Sequence, residues 1–144
     1  MNYMKTGNVY IIRIDRGEEI VKAVNDICKK ENITLGSLSG LGAIDRAKLG
    51  LYSIEKQEYI VNEFEGEYEI TSLIGNVTTK DGVPYLHMHM TIGDITGAVV
   101  GGHLSEARVS ATCEIVIRTA EGTIEREFNS AIGLNTMVFP DSSS

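Results

Sequence analysis

The chain has 144 residues, enough for one hydrophobic core, and we expect a single domain over residues 1–144, with its core at about 8–138 and a frayed tail at 139–144. Its formal net charge is −7 and its 13 Lys and Arg residues are scattered, so the basic surface of a nucleic-acid-binding protein is not expected. No apolar segment approaches the ~20 residues that span a bilayer, and the N-terminus lacks the apolar core of a signal peptide. We therefore expect no membrane association and a cytoplasmic location.

The first third of the chain predicts a strand, a helix and a second strand. Residues Val9–Ile14 form an apolar segment typical of a strand, and Asp15–Gly17 is a turn. Apolar side chains then recur at helical spacing, which predicts a helix that begins near Glu18 and ends near Asn32. From Leu35 to Ile44 apolar residues alternate with Gly and Ser, as in a strand that another backbone approaches closely.

The remainder of the chain predicts antiparallel strands joined by short turns. The Asp81-Gly82 pair is a strong hairpin signal, and Arg108–Arg118 alternates cleanly between apolar and polar residues. The pattern predicts an α+β fold, mainly an antiparallel β-sheet flanked by a few helices. The predicted strands are 47–54, 59–64, 68–79, 84–92, 95–100, 108–118 and 124–128.

The three histidines of the chain are candidate metal ligands. His87 and His89 are two residues apart in a predicted strand, so they share one face of it. If Gly93-Asp94 is a two-residue hairpin turn, His103 falls on the opposite face, and a bulge at Gly101-Gly102 would bring it back. Three neutral imidazoles suit Zn²⁺ or another divalent transition metal. The alternative is that all three are ordinary polar side chains, because a His-x-His pair also occurs by chance.

A metal-dependent reaction also needs other groups, and the sequence offers three candidates. Glu69 and Glu114 are candidate general acids or bases, and Arg13 is a candidate anchor for a substrate carboxylate. The alternative is that each is an exposed charge without a role, which is the ordinary position of such side chains.

Several segments resemble the motifs of one known family. Residues Gly66–Asn76 resemble the Gly-x-Phe-Glu-Ile-x-Ser-Leu-x-Gly motif of the PPC ("plants and prokaryotes conserved") domain, with Tyr68 in place of the usual Phe. Leu41–Ile44 resembles the upstream motif, and His87-x-His89 followed by Gly101–Leu104 resembles the prokaryotic histidine motif. The likeness runs in the expected order from about residue 9 to residue 117.

The resemblance implies an antiparallel sheet flanked by helices, similar in fold to acetolactate decarboxylase, and a homotrimer. In prokaryotic members it also implies a metal, usually zinc, on the three histidines. Members are often described as DNA-binding, which the charge of this chain opposes.

Three functions therefore remain open. The first is a zinc-dependent enzyme, a lyase or hydrolase, acting on a small carbonyl or carboxylate compound. The second is a non-catalytic trimeric module that binds a small ligand or a protein, and the third is a DNA-binding protein.

Overall fold

One β-sheet of eight strands and one helix make up the fold, in a computed structural model that describes residues 1–139. The predicted tail therefore lies almost wholly outside the described residues. In chain order the elements are β1 (Asn2–Thr6), β2 (Val9–Asp15), α1 (Ile20–Lys30), β3 (Gly36–Ser53), β4 (Glu58–Lys80), β5 (Val83–Gly93), β6 (Val99–Thr119), β7 (Glu125–Asn129) and β8 (Leu134–Val138).

The four longest strands close on one another. The sheet follows the order β1-β2-β6-β3-β4-β7-β8, and β5 lies off this path, paired with both β4 and β6. Because β3 also pairs with both β4 and β6, the strands β3, β4, β5 and β6 form a closed circuit of antiparallel neighbours. The predicted antiparallel sheet is thus confirmed.

Helix α1 packs one apolar face against β5 and β6. The Glu19 side chain caps its start by accepting hydrogen bonds from the amides of Val21 and Lys22. Lys29 and Lys30 lie in its last turn, where the helix dipole favours positive charge. Within residues 1–139 it is the only α-helix, so the prediction of a few flanking helices was wrong in number. None of the described helical residues forms a segment long and apolar enough to cross a membrane.

Three pairs of predicted strands are continuous in the structure, and one of them is β6, which joins the end of the predicted strand 95–100 to the predicted strand 108–118. β3 joins the predicted strands 35–44 and 47–54, and β4 joins 59–64 and 68–79. The register of β3 against β4 shifts between Gly40 and Gly42, and Gly42 has φ +147°. A second shift, between Ile44 and Arg46, falls where the sequence pattern had indicated a break between two strands, so that break is a bulge within one long strand.

The hairpin of β5 and β6 corrects the predicted register. Its loop spans the five residues 94–98, held by the Asp94 carboxylate, which accepts hydrogen bonds from the amides of Thr96 and Ala98. The longer loop places His103 directly opposite His89 in a register without shifts. The predicted two-residue turn and the predicted bulge at Gly101-Gly102 were therefore wrong.

Gly101 and Gly102 instead allow β6 to contact its neighbouring strands closely. A Cβ atom at Gly102 would lie 2.6 Å from the carbonyl oxygen of Gly50 in β3. One at Gly101 would lie 2.6 Å from the Cγ2 atom of Thr91 in β5. Side chains at these positions would force β6 away from both neighbours.

Candidate metal centre

The histidine pair of β5 lies on the face of the strand opposite the core. Met88 and Met90 are buried on one face, and His87 and His89 project from the other. His103 joins them from β6, because residues directly opposite in an antiparallel pair project to the same face. The predicted convergence of the three rings is therefore present, although it arises from a register different from the predicted one.

The nitrogen positions suit a tetrahedral ion. The Nε2 atoms of His87 and His89 are 3.2 Å apart, and each of the three rings offers a nitrogen within 4.8 Å of the others. Two nitrogens bound at 2.0–2.1 Å to a tetrahedral zinc would lie about 3.3 Å apart. His87 and His89 could also be this close because one neutral ring donates a hydrogen bond to the other. The position of the third ring, His103, therefore distinguishes a metal site from a simple hydrogen bond.

That third ring has an unsatisfied nitrogen. The Nδ1 atom of His103 is buried and has no hydrogen-bond partner among the described residues. The ring of Tyr59 packs against the His103 ring, with centroids 4.5 Å apart, and restricts its position. A buried polar atom without a partner is costly, and a cation bound at this Nδ1 atom would remove that cost. The donor set therefore fits a transition-metal ion.

The electrostatics keep two of the rings neutral. Burial, with smaller contributions from His87 and His89, lowers the pKa of His103 to about 4. Burial also lowers the pKa of His87, with the charges of His89 and Arg126 acting in the same direction. A metal ligand must be a neutral imidazole, so His87 and His103 are in the ligand form at neutral pH.

An open cavity of about 410 Å³ borders the histidines. The β4 residues opposite His87 and His89 are Asn76 and Ile74, which also line it. The full lining consists of Ser37, Leu38, Ile74, Gly75, Asn76, His87 and His89. The cavity therefore borders two of the three histidines, His87 and His89.

A buried arginine lies at the edge of this site. Arg126 of β7 is 7% exposed, and its guanidinium donates hydrogen bonds to Thr78, to the carbonyl of Asn135 and to the side-chain oxygen of Asn76. It also lies over the ring of Tyr85, 4.9 Å from the centroid. Sequence reasoning missed Arg126, because its strand was recognised but nothing local distinguished it from a solvent-exposed charge.

The three predicted catalytic residues lie apart from the histidines. Arg13 is 58% exposed and forms an ion pair with Asp15, and Glu114 lies opposite it on β6, also exposed. Glu69 lines a different cavity, which Asp94 also borders. The described contacts bring none of these three side chains to the imidazoles, so their catalytic role stays a prediction.

Solved structures similar to the whole chain include two from prokaryotes. One is a presumed DNA-binding protein of Bacteroides thetaiotaomicron, with 36% identity, a TM-score of 0.93 and 96% of both chains covered. Another is a metal-containing protein of Archaeoglobus fulgidus, with 32% identity, a TM-score of 0.85, and coverage of 96% of this chain and 99% of that chain.

A more distant comparison concerns the predicted likeness in fold to acetolactate decarboxylase. A Staphylococcus aureus protein of unknown function, described as similar to that enzyme, matches with 15% identity and a TM-score of 0.54. The match covers 85% of this chain and 56% of that one. At this identity the likeness concerns the fold alone.

Among characterised sequences, the chain is 29% identical over 111 residues to the bifunctional protein GlmU of Synechococcus sp. (strain JA-3-3Ab). The match covers 76% of this chain and 17% of that protein, so the chain spans about a sixth of the length of this relative.

The sequence profile of the Plants and Prokaryotes Conserved (PCC) domain matches residues 1–121, in agreement with the motifs at Gly66–Asn76 and around the histidines. The chain therefore belongs to the Plants and Prokaryotes Conserved domain family.

Proposed function

We propose that the protein binds one divalent transition-metal ion, zinc foremost, through His87, His89 and His103. The observation that carries the proposal is the convergence of three imidazoles, with one nitrogen pair 3.2 Å apart and the buried Nδ1 of His103 without a partner. Imidazole ligands suit zinc, nickel and copper, whereas calcium and magnesium prefer oxygen. The similarity to a metal-containing archaeal protein supports the same proposal.

Three protein ligands beside an open cavity are typical of a catalytic metal site, whereas structural zinc sites usually have four protein ligands. We therefore propose an enzyme, a lyase or hydrolase, that acts on a small carbonyl or carboxylate compound. A bound ion would supply Lewis acidity at the fourth position. The residues of the chain keep the imidazoles of His87 and His103 neutral, hold the His103 ring against Tyr59 and leave the cavity accessible.

The alternative is a non-catalytic module in which the metal holds β5 and β6 together. An open cavity lined by two of the three proposed ligands, His87 and His89, favours the enzyme. In either case we propose a homotrimer, as the family likeness implies. Exposed apolar side chains on the β3–β4 hairpin, Leu51, Ile54, Ile60 and Val61, are consistent with contact between subunits. The net charge of −7 counts against DNA as a partner.

Elemental analysis of untagged protein tests the metal proposal. We expect about one equivalent of transition metal in the wild type, and a loss of that metal in the His87→Ala, His89→Ala and His103→Ala variants. Thr91→Ala is a matched control, because Thr91 follows the histidines on the same strand. Less than about a tenth of an equivalent, not restored by added zinc, would show that the histidines do not form a metal site.

A further inference from the structure

The guanidinium of Arg126 is a buried charge without an acidic partner. Its three hydrogen bonds go to a hydroxyl, a carbonyl and an amide oxygen, and no ion pair among the described residues involves it. Burying a charge without a counter-charge is costly, and neutral acceptors compensate for only part of that cost. The surroundings of Arg126 therefore favour a negative charge nearby.

Asn76 connects this charge to the metal centre. Arg126 Nη2 donates to Asn76 Oδ1 at 3.1 Å, which fixes the side-chain amide with its oxygen towards the guanidinium. The amide Nδ2 then faces away from Arg126, and it forms no hydrogen bond to another described residue. Asn76 lies opposite His87 in the β4–β5 pair, and both line the same cavity. An oriented donor and the candidate metal ligands thus border one space.

We propose that the ligand taken by the metal centre is a carboxylate, with one oxygen at the metal position and the other accepting a hydrogen bond from Asn76 Nδ2. Arg126 is a positioning residue, which orients Asn76 and supplies the positive potential that selects an anion. This inference rests on the proposed metal site. It specifies that the site binds carboxylates in preference to neutral carbonyl compounds.

Cobalt-loaded protein provides the test, because the visible absorption of Co²⁺ changes when an anion enters its coordination shell. Acetate is the probe. Chloride is the reference anion, because it is a single atom and has no second acceptor for a hydrogen bond from Asn76. In Asn76→Ala we expect acetate affinity to fall about tenfold, as the loss of one hydrogen bond to a charged group implies, with cobalt and chloride affinities unchanged. Thr91→Ala, which removes a hydroxyl group on the strand of His87 and His89 but outside this cavity, should bind acetate as the wild type does.

Three further variants test the role of Arg126. Asn76→Asp keeps the shape and the acceptor for Arg126 but removes the donor and neutralises the charge, so acetate affinity should again fall. This variant also serves if Asn76→Ala fails to fold. Arg126→Met should weaken acetate binding, and the double variant Arg126→Met/Asn76→Ala should lose less than the sum of the two single losses, because part of the effect of Arg126 acts through Asn76.

The outcomes separate this inference from the proposed function. Wild-type protein that binds no cobalt would overturn both. Cobalt binding with unchanged acetate affinity in both Asn76 variants, or an equal loss of acetate and chloride affinity in Asn76→Ala, would overturn the carboxylate site and leave the metal site intact.

Discussion

Replacing Gly102 by alanine tests the close packing of β6 against β3 beside the metal centre. The added Cβ would lie 2.6 Å from the carbonyl oxygen of Gly50 and 3.1 Å from its nitrogen. An ordinary carbon–oxygen contact is about 3.3 Å or more, so the strands must separate locally by about 0.7 Å. Both atoms belong to backbone, which cannot rotate away. Overpacking of this kind costs about 1–3 kcal/mol.

For a chain of this length each kcal/mol corresponds to a fall in Tm of about 2–4 °C, so we expect Gly102→Ala to melt about 2–12 °C below the wild type. Because His103 is the next residue, metal affinity should fall as well. Gly93→Ala is the control on the same hairpin, since the nearest atom to its Cβ would be a side-chain methyl of Thr71 at 3.2 Å. Thermal unfolding that shows equal Tm values for the two variants would refute the argument.

Four other outcomes are expected. Because burial lowers the pKa of His103 to about 4, against 6.5 in an unfolded chain, metal-free protein should be most stable above pH 6.5. It should lose stability as the pH falls towards 4, because the unfolded state takes up a proton at a higher pH than the folded state. Urea titrations near pH 7 and pH 5 measure the free energy of unfolding, and His103→Gln should weaken its dependence on pH. A chelator should lower the Tm of the wild type but not of the three histidine variants, as differential scanning fluorimetry can check. Light scattering should give three times the chain mass of 15.7 kDa, and a monomer at micromolar concentration would contradict the homotrimer. DNA should not bind specifically at physiological salt, and sub-micromolar binding that weakens steeply with added salt would contradict this.

The alternation of β5 could be predicted from sequence, because a strand buried on one face has a period of two. That pattern placed Met88 and Met90 in the core and His87 and His89 together on the other face. The position of His103 depends on the length of one loop, and the glycine at position 93 resembled a tight turn. The hydrogen bonds of Asp94 that stabilise a five-residue loop have no comparable signature.

Arg126 could not have been placed from the sequence. Its partners Asn76 and Thr78 are about fifty residues away, and they meet it only where β7 pairs with the end of β4. In a single sequence a buried arginine looks like an exposed one. Asn76, by contrast, is the last residue of the segment Gly66–Asn76 that resembles the family motif, although the sequence did not indicate its place beside the histidines.

The closed circuit of β3, β4, β5 and β6 has a consequence for the order of folding. The β3–β4 and β4–β5 pairs join neighbours in sequence, but the circuit closes only when β6 pairs with both β3 and β5. Pairing of β6 with β3 is a long-range event, and such events limit folding rates. The same β6 strand carries His103 to the other two histidines. His103 pairs with His89 through the β5–β6 hairpin, which is local in sequence, so the three imidazoles can meet before β6 pairs with β3. Refolding protein should therefore acquire metal-binding capacity before the late step that closes the circuit.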